Sequence, residues 1–147
     1  MNVELIRSSH AVGEANYHIQ ITAAYRRQIF ADTATQVLTR DYLLAGAARH
    51  GITVAAIGFG PDHVHLFVSA PPRWSPAELV NVLKSVSAKQ LFKEFPRLRE
   101  TMWGGALWSE GYFVRATGDA VTAQVLQRYI RYQRVHEEGP RQLRFTF

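Results

Sequence analysis

The sequence predicts an α+β domain with the element order strand, helix, strand, strand, helix, strand, helix, and three observations predict it. Tyr17-His18-Ile19-Gln20-Ile21-Thr22 alternates apolar and polar residues with the period of two expected of a strand with one buried face. In His63-Val64-His65-Leu66-Phe67-Val68 the same period puts both histidines on one face and Val64, Leu66 and Val68 on the other, behind a Gly60-Pro61-Asp62 turn. Ser75-Pro76-Ala77-Glu78 carries a capping residue, a proline at the first helical position and a glutamate at the third, which marks a helix start.

Composition bounds what this domain can be. With 147 residues, 47% hydrophobic and 20% charged, the chain suits a single globular domain over 1–147 with its core at about 17–137 and looser ends. Residues 1–13 have neither the basic start nor the apolar run of a signal peptide, and no stretch is long enough to span a bilayer, so a cytoplasmic location is expected. The absence of cysteine excludes disulfides and thiolate metal sites, leaving imidazole and oxygen donors and hence magnesium or manganese as the metal to expect. A net charge of +5 favours a polyanionic partner. No internal repeat or low-complexity tract divides the chain.

In chain order, the first strand ends at Tyr25-Arg26-Arg27, where two arginines beside a tyrosine suit phosphate contact or simply a solvated strand end. Asp32 or Thr33 can cap a helix that directs Val37, Leu38, Tyr42, Ala45 and Ala48 to the core, with Gly51 as its stop. Thr53 to Ile57 reads as a strand antiparallel to the histidine strand. The Ser75-capped helix runs to about Phe95, with Leu79, Val82, Leu83 and Val86 as its apolar stripe and Lys84, Lys89 and Lys93 on its other sides. Those lysines fit solvated positions and also DNA contact. Trp103-Gly104-Gly105-Ala106-Leu107-Trp108 offers aromatic surfaces for stacking on unpaired bases, with Arg97, Arg99 and Arg115 nearby in sequence, although core packing fits at least one of its tryptophans. Gly111 to Thr117 forms the last strand and about 121–137 the last helix. Together these give a β-α-β-β-α-β core of ferredoxin-like type, an antiparallel sheet with helices on one face and an additional C-terminal helix.

His63 and His65 side by side on a rigid strand are a start on a divalent-metal site, and they equally fit two polar residues on an exposed face. Their side chains are expected at the sheet surface, outside the packed core. On the last helix Tyr129 and Gln133 lie four residues apart and share a face, a phenol beside an amide oxygen able to ligate a hard cation. Tyr132 precedes Gln133 by one residue and faces elsewhere, and a solvated helix with two amphipathic tyrosines fits the same residues. His18 and Asp62 are possible helpers in activating a tyrosine oxygen, with no role assigned to either, and Asp62 equally fits orienting a metal-bound histidine or closing the turn.

The combination of Pro61-Asp62-His63-Val64-His65, Trp103-Gly104-Gly105 with Leu107-Trp108, Gly111-Tyr112-Phe113-Val114 and Tyr129-Ile130-x-x-Gln133 resembles the single-tyrosine HUH transposases of bacterial single-strand insertion sequences, the IS-two-hundred and IS-six-hundred-and-five type. The resemblance runs from about Tyr17 to Gln133. It implies a metal-dependent endonuclease and strand transferase for single-stranded DNA, with His63, His65 and Gln133 as metal ligands, Tyr129 as nucleophile, and magnesium or manganese as cofactor. It also implies a homodimer that recognises hairpins at the element ends. Arg26, Arg27, Lys84, Lys89, Trp103 and Arg115 are the candidate DNA contacts. Two other functions fit the same residues: a non-catalytic single-stranded nucleic-acid-binding module of this fold, and a metal-dependent phosphoesterase for small substrates.

Overall fold

The structure is a computed structural model that describes residues 14–117. The helix expected over 121–137, with Tyr129, Tyr132 and Gln133, lies outside the described residues. Among the described residues seven strands and α-helices follow one another: β1 (Ala15–Thr22), α1 (Thr33–Arg49), β2 (Thr53–Phe59), β3 (His63–Ala70), α2 (Pro76–Glu94), α3 (Pro96–Thr101) and β4 (Phe113–Ala116). The strands form one antiparallel sheet in the order β2-β3-β1-β4. Because β3 fills the gap between β1 and β2, the connection through α1 must cross over it, which is the split β-α-β of the ferredoxin-like fold.

The sheet has two unlike faces. Ile19 and Ile21 of β1 and Val64, Leu66 and Val68 of β3 are fully or almost fully buried in one cluster with Leu43 of α1 and Leu79, Val80, Leu83 and Leu91 of α2. Burial of each such side chain stabilises the fold by about 1.5–3 kcal/mol, and a one-residue slip of β3 would exchange its three for His63, His65 and Phe67. Register is therefore held by the helix-covered face, and the histidines are assigned to the other.

The helix starts follow their caps. Asp32 accepts from the Thr35 backbone N–H, and Ser75 and Glu78 complete a reciprocal capping box behind Pro76. Gly51 at φ 70° stops α1 as expected. The buried side of α1, however, is Thr35, Thr39, Leu43, Gly46 and Ala47, while Val37 is 50% exposed, Ala45 and Ala48 face solvent, and only Leu38 and Tyr42 of the expected set pack partly on the core. Close approach to α2 selects these small residues: a Cβ on Gly46 would lie 2.5 Å from Val86 Cγ1. The Thr39 hydroxyl is absorbed by the Thr35 carbonyl at 2.7 Å, so it can be buried at little loss.

On α2, Leu79 and Leu83 are buried as expected, with Val80 and Leu91, whereas Val82 and Val86 are half-buried. Pro96 ends that helix and opens the short α3. Strand β4 is shorter than expected because the Lys84 ammonium takes the carbonyls of Ser109, Glu110 and Gly111, at 2.7, 3.2 and 3.0 Å, and holds that stretch to α2.

Candidate active site

Cross-strand pairing assembles the site. β1 and β3 place Thr22 opposite His63, Gln20 opposite His65 and His18 opposite Phe67; β1 and β4 place Gln20 opposite Phe113 and His18 opposite Arg115. Directly opposed residues share a face, so these side chains form one polar and aromatic field on the side away from α1 and α2. The sequence expectation of surface histidines is corrected here: His63 is 2% and His65 0% exposed. Asp62 and Gly60 lie against the His63 ring, and His18 against that of His65.

His63 is held from two sides. Its Nδ1–H donates to Asp62 Oδ1 at 2.7 Å, because a carboxylate can only accept. In the neutral ring that tautomer puts the remaining lone pair on Nε2, an atom that is buried and has no hydrogen-bond partner among the described residues. A buried polar atom left in this state costs about 1–3 kcal/mol, a debt that a ligand at Nε2 would remove. Asp62 is itself fixed, since its carbonyl accepts from Ala23 N–H at 2.8 Å, the adjoining Pro61 carbonyl accepts from Phe30 N–H at 2.9 Å, and its Oδ2 lies 3.4 Å from Arg26 Nε. The β1–α1 connection and the β2–β3 turn thus lock together behind the histidine. Tyr25 and Arg26 adopt φ of 57° and 53° there, a left-handed pair unusual for residues with a Cβ.

Gly60 lies against the other side of the ring. A Cβ built on it would meet His63 Cε1 at 2.2 Å and Nε2 at 2.6 Å, so this glycine is required by the ring it shelters. If His63 ligates a metal, Gly60→Ala is expected to turn the ring out of place and lower manganese affinity by roughly 10–100-fold, the scale seen when a ligand's support is lost. Calorimetric titration with manganese checks this, and an unchanged affinity would show that the ring tolerates displacement.

His65 lies beside His63, ring centroids 5.0 Å apart and nearly perpendicular. Its Nδ1 is 3.0 Å from Nε2 of His18, itself 2% exposed. Burial, aided by the charge of Arg115, lowers the His18 pKa to about 4; burial, with His63 and His18 nearby, lowers that of His65 to about 2. Both rings are therefore neutral at pH 7 and each keeps a lone pair, as metal ligation requires. The described residues contain no cluster of three His, Asp or Glu side chains able to hold a metal. Within them the donor set is two imidazoles, and Gln133, the third expected ligand, lies outside the described residues. Nitrogen and oxygen donors of this kind suit a borderline or hard divalent ion, and the His63 Nε2, which has no hydrogen-bond partner among the described residues, fits one.

The candidate DNA contacts are scattered. Arg26 reaches Asp62, and Arg27 and Lys89 are exposed. Lys89 lines a groove of about 630 Å³ with Lys93, Arg99, Phe92 and Trp108. Lys84 is half-buried on its three carbonyls, and Arg115 is exposed on β4. Trp103 opens a single turn of 3-10 helix over Trp103–Gly105. Trp108 plugs the core, 5.5 Å from Phe30 between ring centroids and with its indole N–H on Ser87 Oγ at 2.9 Å. A second cavity of about 240 Å³, lined by Gln20, Thr22, Ser109, Gly111, Tyr112 and Phe113, opens on the histidine face. Two participants, Gly60 and His18, were not assigned a role from sequence: the first reads as an ordinary turn glycine, and the second is brought to His65 only by strand order.

Relatives share this frame. Residues 11–133 match the family described as Transposase IS200 like. The chain is 34% identical over 131 residues to the ISDra2 transposase TnpA of Deinococcus radiodurans, covering 89% of this chain and 92% of that protein. It is 25% identical over 139 residues to the transposase for insertion sequence element IS200 of Salmonella typhimurium, covering 95% and 90%. A solved structure from Deinococcus radiodurans R1, described as a transposase, superposes with a TM-score of 0.66 at 31% identity over 87% of this chain and 97% of that one. A REP-associated tyrosine transposase bound to a REP hairpin shares the fold at 14% identity, TM-score 0.53, over 88% of this chain and 70% of that one. Sheet order, histidine face and relatives together define a DNA transposase. The chain belongs to the IS200-like transposase family.

Proposed function

We propose that this protein is a metal-dependent single-stranded DNA endonuclease and strand transferase that cuts and rejoins element ends through a 5′-phosphotyrosine on Tyr129. The observation that carries the reading is the His63–His65 pair, and above all the buried His63 Nε2, oriented by Asp62 and without a hydrogen-bond partner among the described residues, in a chain of the IS200-like family. A magnesium or manganese ion held by His63, His65 and Gln133 would stabilise negative charge on the non-bridging oxygens of the scissile phosphate.

The chain's own residues supply the rest. The Tyr129 oxygen attacks phosphorus in line with the P–O3′ bond, losing its proton as it does so. That bond breaks, the 3′ oxygen takes up a proton to become a free hydroxyl, and the 5′ phosphate remains on the tyrosine as a diester. One phosphodiester replaces another, so a second 3′-hydroxyl can attack the tyrosyl phosphodiester and join strands without ATP. Neutral, buried His65 has no positive charge to lose, and His63, buried and held by Asp62, is already oriented for binding. A hairpin-bearing substrate is supported by the fold relative described with a REP hairpin, and the assembly proposed is a homodimer.

Incubation with end-labelled single-stranded DNA carrying a hairpin, plus manganese, followed by a denaturing gel, tests the reading. A covalent protein–DNA band is expected, and it separates a transferase from a binding module or a small-substrate phosphoesterase. Its absence, with DNA bound, would overturn the proposal. Binding should also depend on salt: with about three phosphate contacts, raising salt from 50 to 200 mM should weaken single-strand binding roughly 20-fold. Fluorescence anisotropy reads this, and equal affinity for a blunt duplex would remove the single-strand preference.

A further inference from the structure

We propose that His18 is a positioning residue for His65: by accepting the His65 Nδ1–H on its own Nε2, it fixes His65 in the tautomer whose lone pair lies on Nε2. The inference rests on the metal reading above and adds a residue to it. The contact is 3.0 Å, and both rings are shut off from solvent. Only one proton can lie between the two nitrogens. If His18 donated it, neutral His65 would carry its own proton on Nε2, and the lone pair that a metal takes from that atom would be gone. If His65 donates, the lone pair is where ligation needs it.

The rest of the strand pairing makes His18 suited to this. Its ring stacks on Phe67 with centroids 4.7 Å apart and planes 10° from parallel, and Phe113 meets its edge at 5.7 Å, so its orientation is set by packing. It comes from the central strand β1, whose backbone is bonded on both sides. On His63 the same service is done by Asp62 at Nδ1. Each imidazole thus has its Nδ1 engaged by a different group, a carboxylate on one and a neutral ring on the other. Without His18, a His65 that ligated through Nε2 would lose the ring nitrogen that lies 3.0 Å from its Nδ1.

The full-length protein is tested with manganese as probe, read by electron paramagnetic resonance, and with nitrogen-15 spectra of the histidine rings. His18→Phe keeps an aromatic ring on Phe67 and removes the acceptor; His18→Gln puts an amide oxygen near the place of Nε2. Manganese affinity should fall roughly 10–100-fold in His18→Phe and return to within about threefold of the unmodified protein in His18→Gln. In the metal-free unmodified protein, the spectra should show His65 protonated on Nδ1. Affinity unchanged in His18→Phe, or His65 protonated on Nε2 in the unmodified protein, overturns the inference; should His18→Phe fail to fold, the second of these decides alone. If the unmodified protein shows no His63-dependent manganese binding, the metal reading itself fails and His18 loses its purpose, an outcome distinct from binding that persists through the loss of His18.

Discussion

Tyr129→Phe should yield a folded protein that binds hairpin DNA and forms no covalent adduct, with cleavage reduced by at least about a thousandfold, as expected when a nucleophile is removed. The substitution deletes one oxygen and little packing volume, so loss of the adduct with retained binding isolates the chemical step. Tyr132→Phe is the matched control and should keep the adduct. The assignment comes from spacing: Gln133 follows Tyr129 by four residues and Tyr132 by one, and in a helix, at roughly 100° per residue, only the first would share the amide's face. The Tyr-Ile-x-x-Gln pattern of the resembled transposases points to the same phenol, and the family match extends through residue 133. Mass spectrometry of the DNA-linked peptide is the deciding measurement, and a phosphodiester on Tyr132 would overturn both the assignment and the helix-face argument.

What could be read from the chain follows the range of the forces involved. The period of a strand is local, so the shared face of His63 and His65, and the core face of Val64, Leu66 and Val68, were legible from six residues. Helix caps are equally local, and Asp32, Gly51 and Ser75 to Glu78 stand where the residue types require. The buried face of α1 was not legible, because contact with α2 favours Gly46 and two threonines over the more apolar Val37. Nor was the burial of the histidines, which depends on neighbours supplied by other segments. Strand order brings His18 to His65 across 47 residues of chain, and no pattern within Tyr17 to Thr22 distinguishes that histidine from an ordinary polar alternation. The lesson applies to Lys84 too: its sequence position suggests a solvated cation, and its ammonium is engaged with three carbonyls.

His63→Ala and His65→Ala should each lower metal-dependent cleavage by at least about a hundredfold, and the burial of the two rings predicts that they will differ in stability. His63→Ala removes a buried nitrogen that had no hydrogen-bond partner among the described residues, and the Asp62 carboxylate it deserts is partly exposed and keeps Arg26 at 3.4 Å. Loss of packing is thus offset in part by relief of the orphaned atom, and the melting temperature should change little. His65→Ala empties a fully buried site, strips a ring from the stack with His18 at 5.2 Å, and takes away the partner of His18 Nε2. That combination should cost about 1–3 kcal/mol, or roughly 3–10 °C in melting temperature for a domain of this size. Cleavage assayed well below both melting temperatures separates chemistry from stability. Two outcomes would sink the metal reading: cleavage by the unmodified protein that persists in excess chelator, or a folded His63→Ala that cuts as fast as its parent. Equal destabilisation by the two substitutions would instead contradict the distinct environments of the rings, one against Asp62 and Gly60 at the sheet end and the other inside the β1–β3 pair.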